Sequence, residues 1–190
     1  MKDKRDFLDK LKRIKRGPAV LMQKDIGVIL ANTSIDKESR VLDAGSGSGV
    51  LTANLARFVK RVYSYDNRKE FLEIAKENCK RLGLDNITFK NKDVYSEIKE
   101  KNLDLVTLDL SEPWRALKNA HNALKENGYC VCFSPHITQV SKILEVSESL
   151  FKIIKTVEDI EREWIVEKLR LRPESKMIGH TAFITVLRKI

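Results

Sequence analysis

From Arg40 onward, short apolar runs alternate with longer stretches in which apolar residues recur at helical spacing. The runs at Val41-Leu42, Val62–Tyr65, Asn86–Lys90, Leu103–Leu108 and Tyr129–Phe133 predict strands. Between them the spacing predicts helices near 50–58, over Lys69–Arg81, briefly around Ser96–Glu100, over Trp114–Glu126 and over Val140–Leu150. Such alternation means a parallel sheet with helices on both faces. The rhythm breaks at Phe151. β-like runs within Phe151–Val166 and a clear one over Ala182–Leu187 have no long helix between them. An antiparallel hairpin added to the parallel sheet is the expected ending.

Ahead of this block, Phe7, Leu8, Leu11 and Ile14 form one stripe within residues 2–16, with Lys4, Arg5, Lys12, Arg13, Lys15 and Arg16 around it. That is the pattern of a basic amphipathic helix, either docked on the core with a solvated outer face or gripping phosphates. Gly17-Pro18 ends it, and a second helix is expected over Asp25–Asn32. The division expected is a basic N-terminal helix, 1–17, and a single α/β domain, 18–190.

Composition narrows the partners. A net charge of +9 favours a polyanion without naming one. Cys79, Cys130 and Cys132 show no metal-binding spacing and read as small buried hydrophobes of a reduced protein. His121, His136 and His180 are isolated, so no metal is expected. Neither a signal peptide nor a membrane span is legible, and a cytoplasmic location is the expectation.

The first strand runs into Asp43-Ala44-Gly45-Ser46-Gly47-Ser48-Gly49, whose glycines allow a tight turn and close approach of a ligand to the main chain. A phosphate-binding loop would need Lys-Ser or Lys-Thr after the last glycine; Val50-Leu51 follows instead. The dinucleotide pattern would need glycine where Val50 stands. S-adenosylmethionine (AdoMet) carries no phosphate and asks for carboxylates. Asp66, ending the second strand, can accept from both ribose hydroxyls; Asp43 lies where the methionine amino group is expected, and Asp93 can accept from the adenine amino group. This layout, over residues 40–135, resembles the class I AdoMet-dependent methyltransferases. The resemblance implies a Rossmann-like, mostly parallel seven-stranded sheet with an antiparallel C-terminal strand. It assigns the cofactor to Asp43, Ala44, Gly45, Ser46, Gly47, Ser48, Gly49, Leu51, Thr52, Asp66, Asn67, Asp93, Val94 and Asp109.

The fourth strand ends in Asp109-Leu110-Ser111-Glu112-Pro113-Trp114. By position Asp109 either faces the methyl acceptor or caps the next helix, for which Pro113 is a good first-turn residue. The segment is similar to the Asp-Leu-Pro-Glu-Pro-Trp signature of the tRNA adenine-N1 methyltransferases. Arg172-Pro173 with Gly179-His180-Thr181-Ala182-Phe183, Lys24-Asp25 and Tyr65-Asp66 are similar to further motifs of that family. The resemblance covers residues 16–190. It implies methyl transfer to N1 of an adenosine in the tRNA T loop, with Asp109 catalytic, and assembly into dimers or tetramers. It places Lys24, Asp25, Trp114, Arg172, His180 and Thr181 near the substrate, although Trp114 reads equally as core and His180-Thr181 as the start of the last strand. Departures are Ser111 for the usual proline, and Ala19 and Met22 where relatives have Gln and Tyr. Relatives also carry a small N-terminal β domain, which the basic stretch cannot supply; that stretch, or a neighbouring subunit, is expected to serve tRNA docking instead. Two other readings compete: a methyltransferase of a small planar substrate such as a corrin-pathway intermediate, and a non-catalytic tRNA-binding subunit.

Overall fold

The structure, a computed structural model, describes residues 6–15, 17 and 21–190. A short helix α1 (Phe7–Leu11) and α2 (Gln23–Asn32) precede the sheet. Then follow β1 (Arg40–Ala44), α3 (Val50–Ala56), β2 (Arg61–Asp66), α4 (Lys69–Arg81), β3 (Ile87–Asn91) and β4 (Leu103–Asp109). A 3-10 turn (Pro113–Ala116) leads into α5 (Leu117–Ala123), β5 (Leu124–Ser134) and α6 (Ile137–Ser147). The chain ends with β6 (Phe151–Glu158), a hairpin of β7 (Trp164–Glu167) and β8 (Arg170–Pro173), and β9 (Phe183–Lys189).

The seven-stranded sheet has the order β3-β2-β1-β4-β5-β9-β6, and β9 runs antiparallel to both its neighbours. The expected Rossmann-like architecture is therefore present. Two apolar cores cover the two faces. Alternation along β5 feeds both: Cys130 and Cys132 enter one core, Val131 and Phe133 the other. All three cysteines are free and buried. Helix α4 turns Leu72, Ala75 and Cys79 inward at helical spacing, and its boundaries match the sequence pattern.

Three expectations need correction. The basic helix of 2–16 is only five residues long among the described residues; residues 2–5 and 16 lie outside them. After Leu11 the chain bends so that Ile14 can be buried, and the Lys15 amide finds a partner on α4 in place of a helical carbonyl. Residues Ser96–Glu100 form no helix. There burial alternates, with Ile98 and Glu100 inward, because Glu100 accepts from the Tyr65 hydroxyl and the Lys90 ammonium. The helix expected over Trp114–Glu126 ends at Ala123. Leu124 already pairs with Leu103, and a bulge containing Asn127 in the left-handed region connects it to the main run of β5.

Beyond the sheet, the β7–β8 hairpin leaves Trp164, Val166, Leu169 and Leu171 exposed, Leu169 almost completely.

Candidate active site

Parallel register sets the site. Asp43 pairs with Ser64, and Ala44 with both Tyr65 and Leu108, so β1, β2 and β4 finish side by side. Asp66 ends β2 and Asp109 ends β4, with the glycine loop between them. Gly45, at φ +93°, fits because a side chain there would meet the Asp109 carbonyl oxygen at 2.2 Å. Gly49, at φ +81°, lies against Ala75 of α4 at 3.0 Å from a would-be Cβ. Both amides at the start of the loop, Gly45 (2.9 Å) and Ser46 (3.1 Å), donate to the Tyr65 carbonyl. The turn is held by backbone, and only glycine satisfies it.

Beside the loop lies a cavity of about 350 Å³, within the range of small-molecule sites. Of the residues assigned to the cofactor, it is bordered by Ala44, Gly45, Asp66, Asn67, Asp93, Val94 and Asp109. Asp66 Oδ2 accepts from the Gly47 amide (3.1 Å), and Oδ1 from the Arg68 amide (3.0 Å) and Nε (3.4 Å), which aims the carboxylate and leaves Oδ2 a free lone pair. Asp93 accepts from the Tyr95 amide at 2.9 Å. Tyr65, Leu110 and Ser111 of the quoted motifs also line it, and Arg68, Lys92 and Tyr95, which no sequence motif selects, complete the wall. Their only signal in the sequence is adjacency to the acidic strand ends.

Asp43, Ser46, Gly47, Ser48, Gly49, Leu51 and Thr52 do not border the cavity. Ser48 is buried within the loop, and Leu51 and Thr52 are buried behind it. Asp43 anchors a buried chain of hydroxyls. Thr107 donates to its Oδ1 (2.8 Å) and Thr52 to its Oδ2 (2.5 Å). With the Thr52 proton so committed, Ser64 donates to Thr52 (2.8 Å) and Ser46 to Ser64 (2.6 Å). The carboxylate thus orients hydroxyls as far as the loop. Burial pushes the Asp43 carboxyl up to about 7, opposed by the two threonine donors.

Asp109 is open to solvent at the cavity mouth, whereas protein crowds its carboxyl from the other directions. Desolvation first, then the nearby Asp66 charge, pushes it up to about 6. It is still largely ionised at neutral pH, a form able to accept hydrogen bonds. No cap on the following turn is formed by its side chain: the residue preceding that turn is Glu112, without a side-chain cap bond.

The residues expected near the substrate divide. Lys24 Nζ donates to Asp25 Oδ1 (2.6 Å), the Asp159 carbonyl (2.6 Å) and Thr181 Oγ1 (2.7 Å), and Thr181 donates to Asp25 (3.1 Å). This knot ties α2 to the end of β6 and the approach to β9, with the Lys24 and Asp25 side chains buried. Lys24 also borders a cavity of about 180 Å³. His180 bridges Glu158 (2.5 Å) and the Pro135 carbonyl (2.8 Å), both acceptors, which raises its pKa through Glu158 first. Trp114 is half-buried against the core, with Lys142 over its ring. Arg172 sits apart on the exposed hairpin, bonded to Ser175 and Pro173.

A parallel sheet with this strand order, a glycine turn and acidic strand ends at one cavity defines a class I AdoMet-dependent methyltransferase. Residues 13–182 match the family described as "tRNA methyltransferase complex GCD14 subunit", and the chain belongs to that family. It is 38% identical over 213 residues to the tRNA (adenine(57)-N(1)/adenine(58)-N(1))-methyltransferase TrmI of Methanocaldococcus jannaschii, covering 96% of this chain and 76% of that protein. With a tRNA (adenine(58)-N(1))-methyltransferase TrmI of Thermus thermophilus it shares 36% identity over 185 residues, 94% of this chain and 72% of the relative. The crystal structure of tRNA (m1A58) methyltransferase TrmI from Aquifex aeolicus superposes with a TM-score of 0.92 at 30% identity, over 98% of this chain and 76% of that one. Among the described residues no helix is long and apolar enough to cross a membrane.

Proposed function

We propose that this enzyme transfers the methyl group of AdoMet to N1 of an adenosine in the T loop of tRNA. The observation that carries the reading is the Asp109 carboxylate, pressed by its own backbone against Gly45 and open at the mouth of the cavity. The acceptor follows the TrmI relatives, whose names specify adenine 58, or 57 and 58, of tRNA.

The cavity fits the cofactor by its chemistry. The Asp66 oxygens suit a ribose diol, Asp93 suits an adenine amino group, and the side-chain-free turn at Gly45 admits a ligand against the main chain. Bound AdoMet supplies a sulfonium methyl that needs no further activation. The chain's own task is positioning. N1 lies on the Watson–Crick edge, so the adenosine must leave its pairing and enter the crevice. Asp109 then accepts a hydrogen bond from the exocyclic amino group, orients N1, and opposes the positive charge that develops across N1 and N6. It also stands ready to take the amino proton.

Incubation with labelled AdoMet and an unmodified tRNA transcript, followed by nucleoside analysis, tests the reading. Labelled 1-methyladenosine is expected, reduced by about 10²- to 10⁴-fold in Asp109→Ala with AdoMet binding retained. Activity should also fall as pH drops through about 6, because protonation removes the acceptor. Methylation at N6 would refute the assignment. AdoMet binding without methylation of any tRNA would favour a small planar acceptor, and no AdoMet binding at all a non-catalytic RNA-binding subunit. The exposed Trp164, Val166, Leu169 and Leu171 of the hairpin support self-association into a dimer or tetramer, which light scattering of Leu169→Lys would test.

A further inference from the structure

Asn78, buried on α4, joins two segments that are far apart in sequence. Its Nδ2 donates to the Ser48 carbonyl (2.9 Å) and to the Lys15 carbonyl (2.8 Å), while its Oδ1 accepts from the Lys15 amide (3.0 Å). Both amide protons and the oxygen are therefore engaged. The Ser48–Gly49 peptide is pinned from its two sides, since the Gly49 amide donates to the Ser46 carbonyl at 2.7 Å. Gly49 sits at φ +81°, and a glycine peptide held from one side only is free to rotate, because the residue accepts either sign of φ. The N-terminal segment closes over the same spot. The Gly17 backbone lies so near the loop that a Cβ there would touch the Ser48 nitrogen at 3.5 Å. Leu11 and Ile14 are buried, and Arg57 stacks on Phe7 at 4.2 Å.

We propose that Asn78 is a positioning residue for the cofactor, locking the Ser48–Gly49 peptide in one orientation and fastening the N-terminal segment against the back of the loop. It does not line the cavity beside the loop and acts through the main chain of Ser48. This rests on the reading of the glycine loop as an AdoMet cradle.

Asn86 provides a matched control. Its Nδ2 also makes two long-range bonds, to the carbonyls of Ala56 (2.8 Å) and Val59 (2.9 Å), but those secure the far end of α3. Calorimetric titration of AdoMet into wild type, Asn78→Ala and Asn86→Ala separates a positioning role from a structural one. Both variants are expected to melt at lower temperature. Asn78→Ala should raise the Kd for AdoMet about tenfold, the equivalent of one lost buried hydrogen bond, whereas Asn86→Ala should stay within about twofold. The AdoMet KM should rise in parallel with little change in saturated kcat. If Asn78→Ala does not fold, Asn78→Asp replaces it: the shape and the acceptor for the Lys15 amide remain, but oxygen faces the carbonyls of both Ser48 and Lys15, and the same rise is expected. Equal Kd changes in the Asn78 and Asn86 variants, or none in either, would overturn the proposal. Failure of the wild-type protein to bind AdoMet would instead overturn the reading of the loop.

Discussion

The cavity at the glycine loop and the knot around Lys24 are built by different means. On the cofactor side, the turn between β1 and α3 is held by main-chain bonds to Tyr65, by glycines at positive φ and by a buried run of hydroxyls ending at Asp43. On the side of β5, β6 and β9, charged side chains do the tying: Lys24 joins Asp25, Asp159 and Thr181, and His180 joins Glu158 and Pro135. Backbone geometry leaves no room for a side chain at Gly45 or Gly49, whereas cutting a side-chain knot is expected to leave the loop undisturbed. The two sides are accordingly expected to fail differently when altered.

The largest effect is expected on the cofactor side. Gly45→Ala puts a methyl group 2.2 Å from the Asp109 carbonyl at a φ that alanine resists. The loop must move away from β4, and AdoMet affinity should fall by about a hundredfold or more, with no cofactor-dependent shift in melting temperature. Near-normal affinity would mean that the loop adjusts freely, and the contrast between the two sides would collapse.

On the opposite side, Lys24→Met should leave the Asp25 carboxylate buried and without its cation. Removing one partner of a buried pair costs about 3–5 kcal/mol, which urea denaturation would read. AdoMet affinity should stay within about twofold, since Lys24 is absent from the cavity beside the glycine loop. A large loss of AdoMet binding in a folded Lys24→Met would show that the two sides are mechanically one.

The same contrast explains what could be read from the sequence. The cofactor side was legible because its parts follow one another: a strand, a glycine turn, and acids at the ends of the next strands. Even there, the sequence groups Thr52 and Asp43 with the ligand contacts, and only the structure shows them bonded to each other beneath the loop, outside the cavity lining; sequence marks the neighbourhood but not which way a side chain faces. The knot was legible only as motifs. Lys24 lies 135 residues from Asp159 and 157 from Thr181, and nothing local signals that these groups satisfy one another. The lost helix at Ser96–Glu100 has a similar origin. Local propensity favoured a helix, but Glu100 is drawn inward by Tyr65 and Lys90 from other strands.

A smaller effect probes the support beneath the loop. Thr107→Val removes one of the two donors to Asp43. Because the folded-state pKa of Asp43 is raised, from near 4 to about 7, the neutral form is favoured in the protein. Stability from this group is fully present at low pH and is lost as pH rises through about 7. The missing donor should therefore matter most to the ionised form, costing about 1–3 kcal/mol at pH 8 and less at pH 5. A pH-independent cost would mean that Asp43 does not titrate in this range.

The smallest effect is expected outside both walls, on the N-terminal segment. Lys12, Arg13 and Lys15 are exposed, and only the main chain of Lys15 reaches Asn78. Replacing these three side chains with alanine leaves that splice whole, so AdoMet affinity should not change. If the segment meets RNA phosphates, tRNA affinity should weaken modestly, and the slope of log affinity against log salt should become shallower by about 0.7–0.9 for each phosphate no longer engaged. An unchanged slope would assign the positive charge here to solvation alone. A fall in AdoMet affinity would mean that the side chains, and not the main chain, hold the segment on the loop.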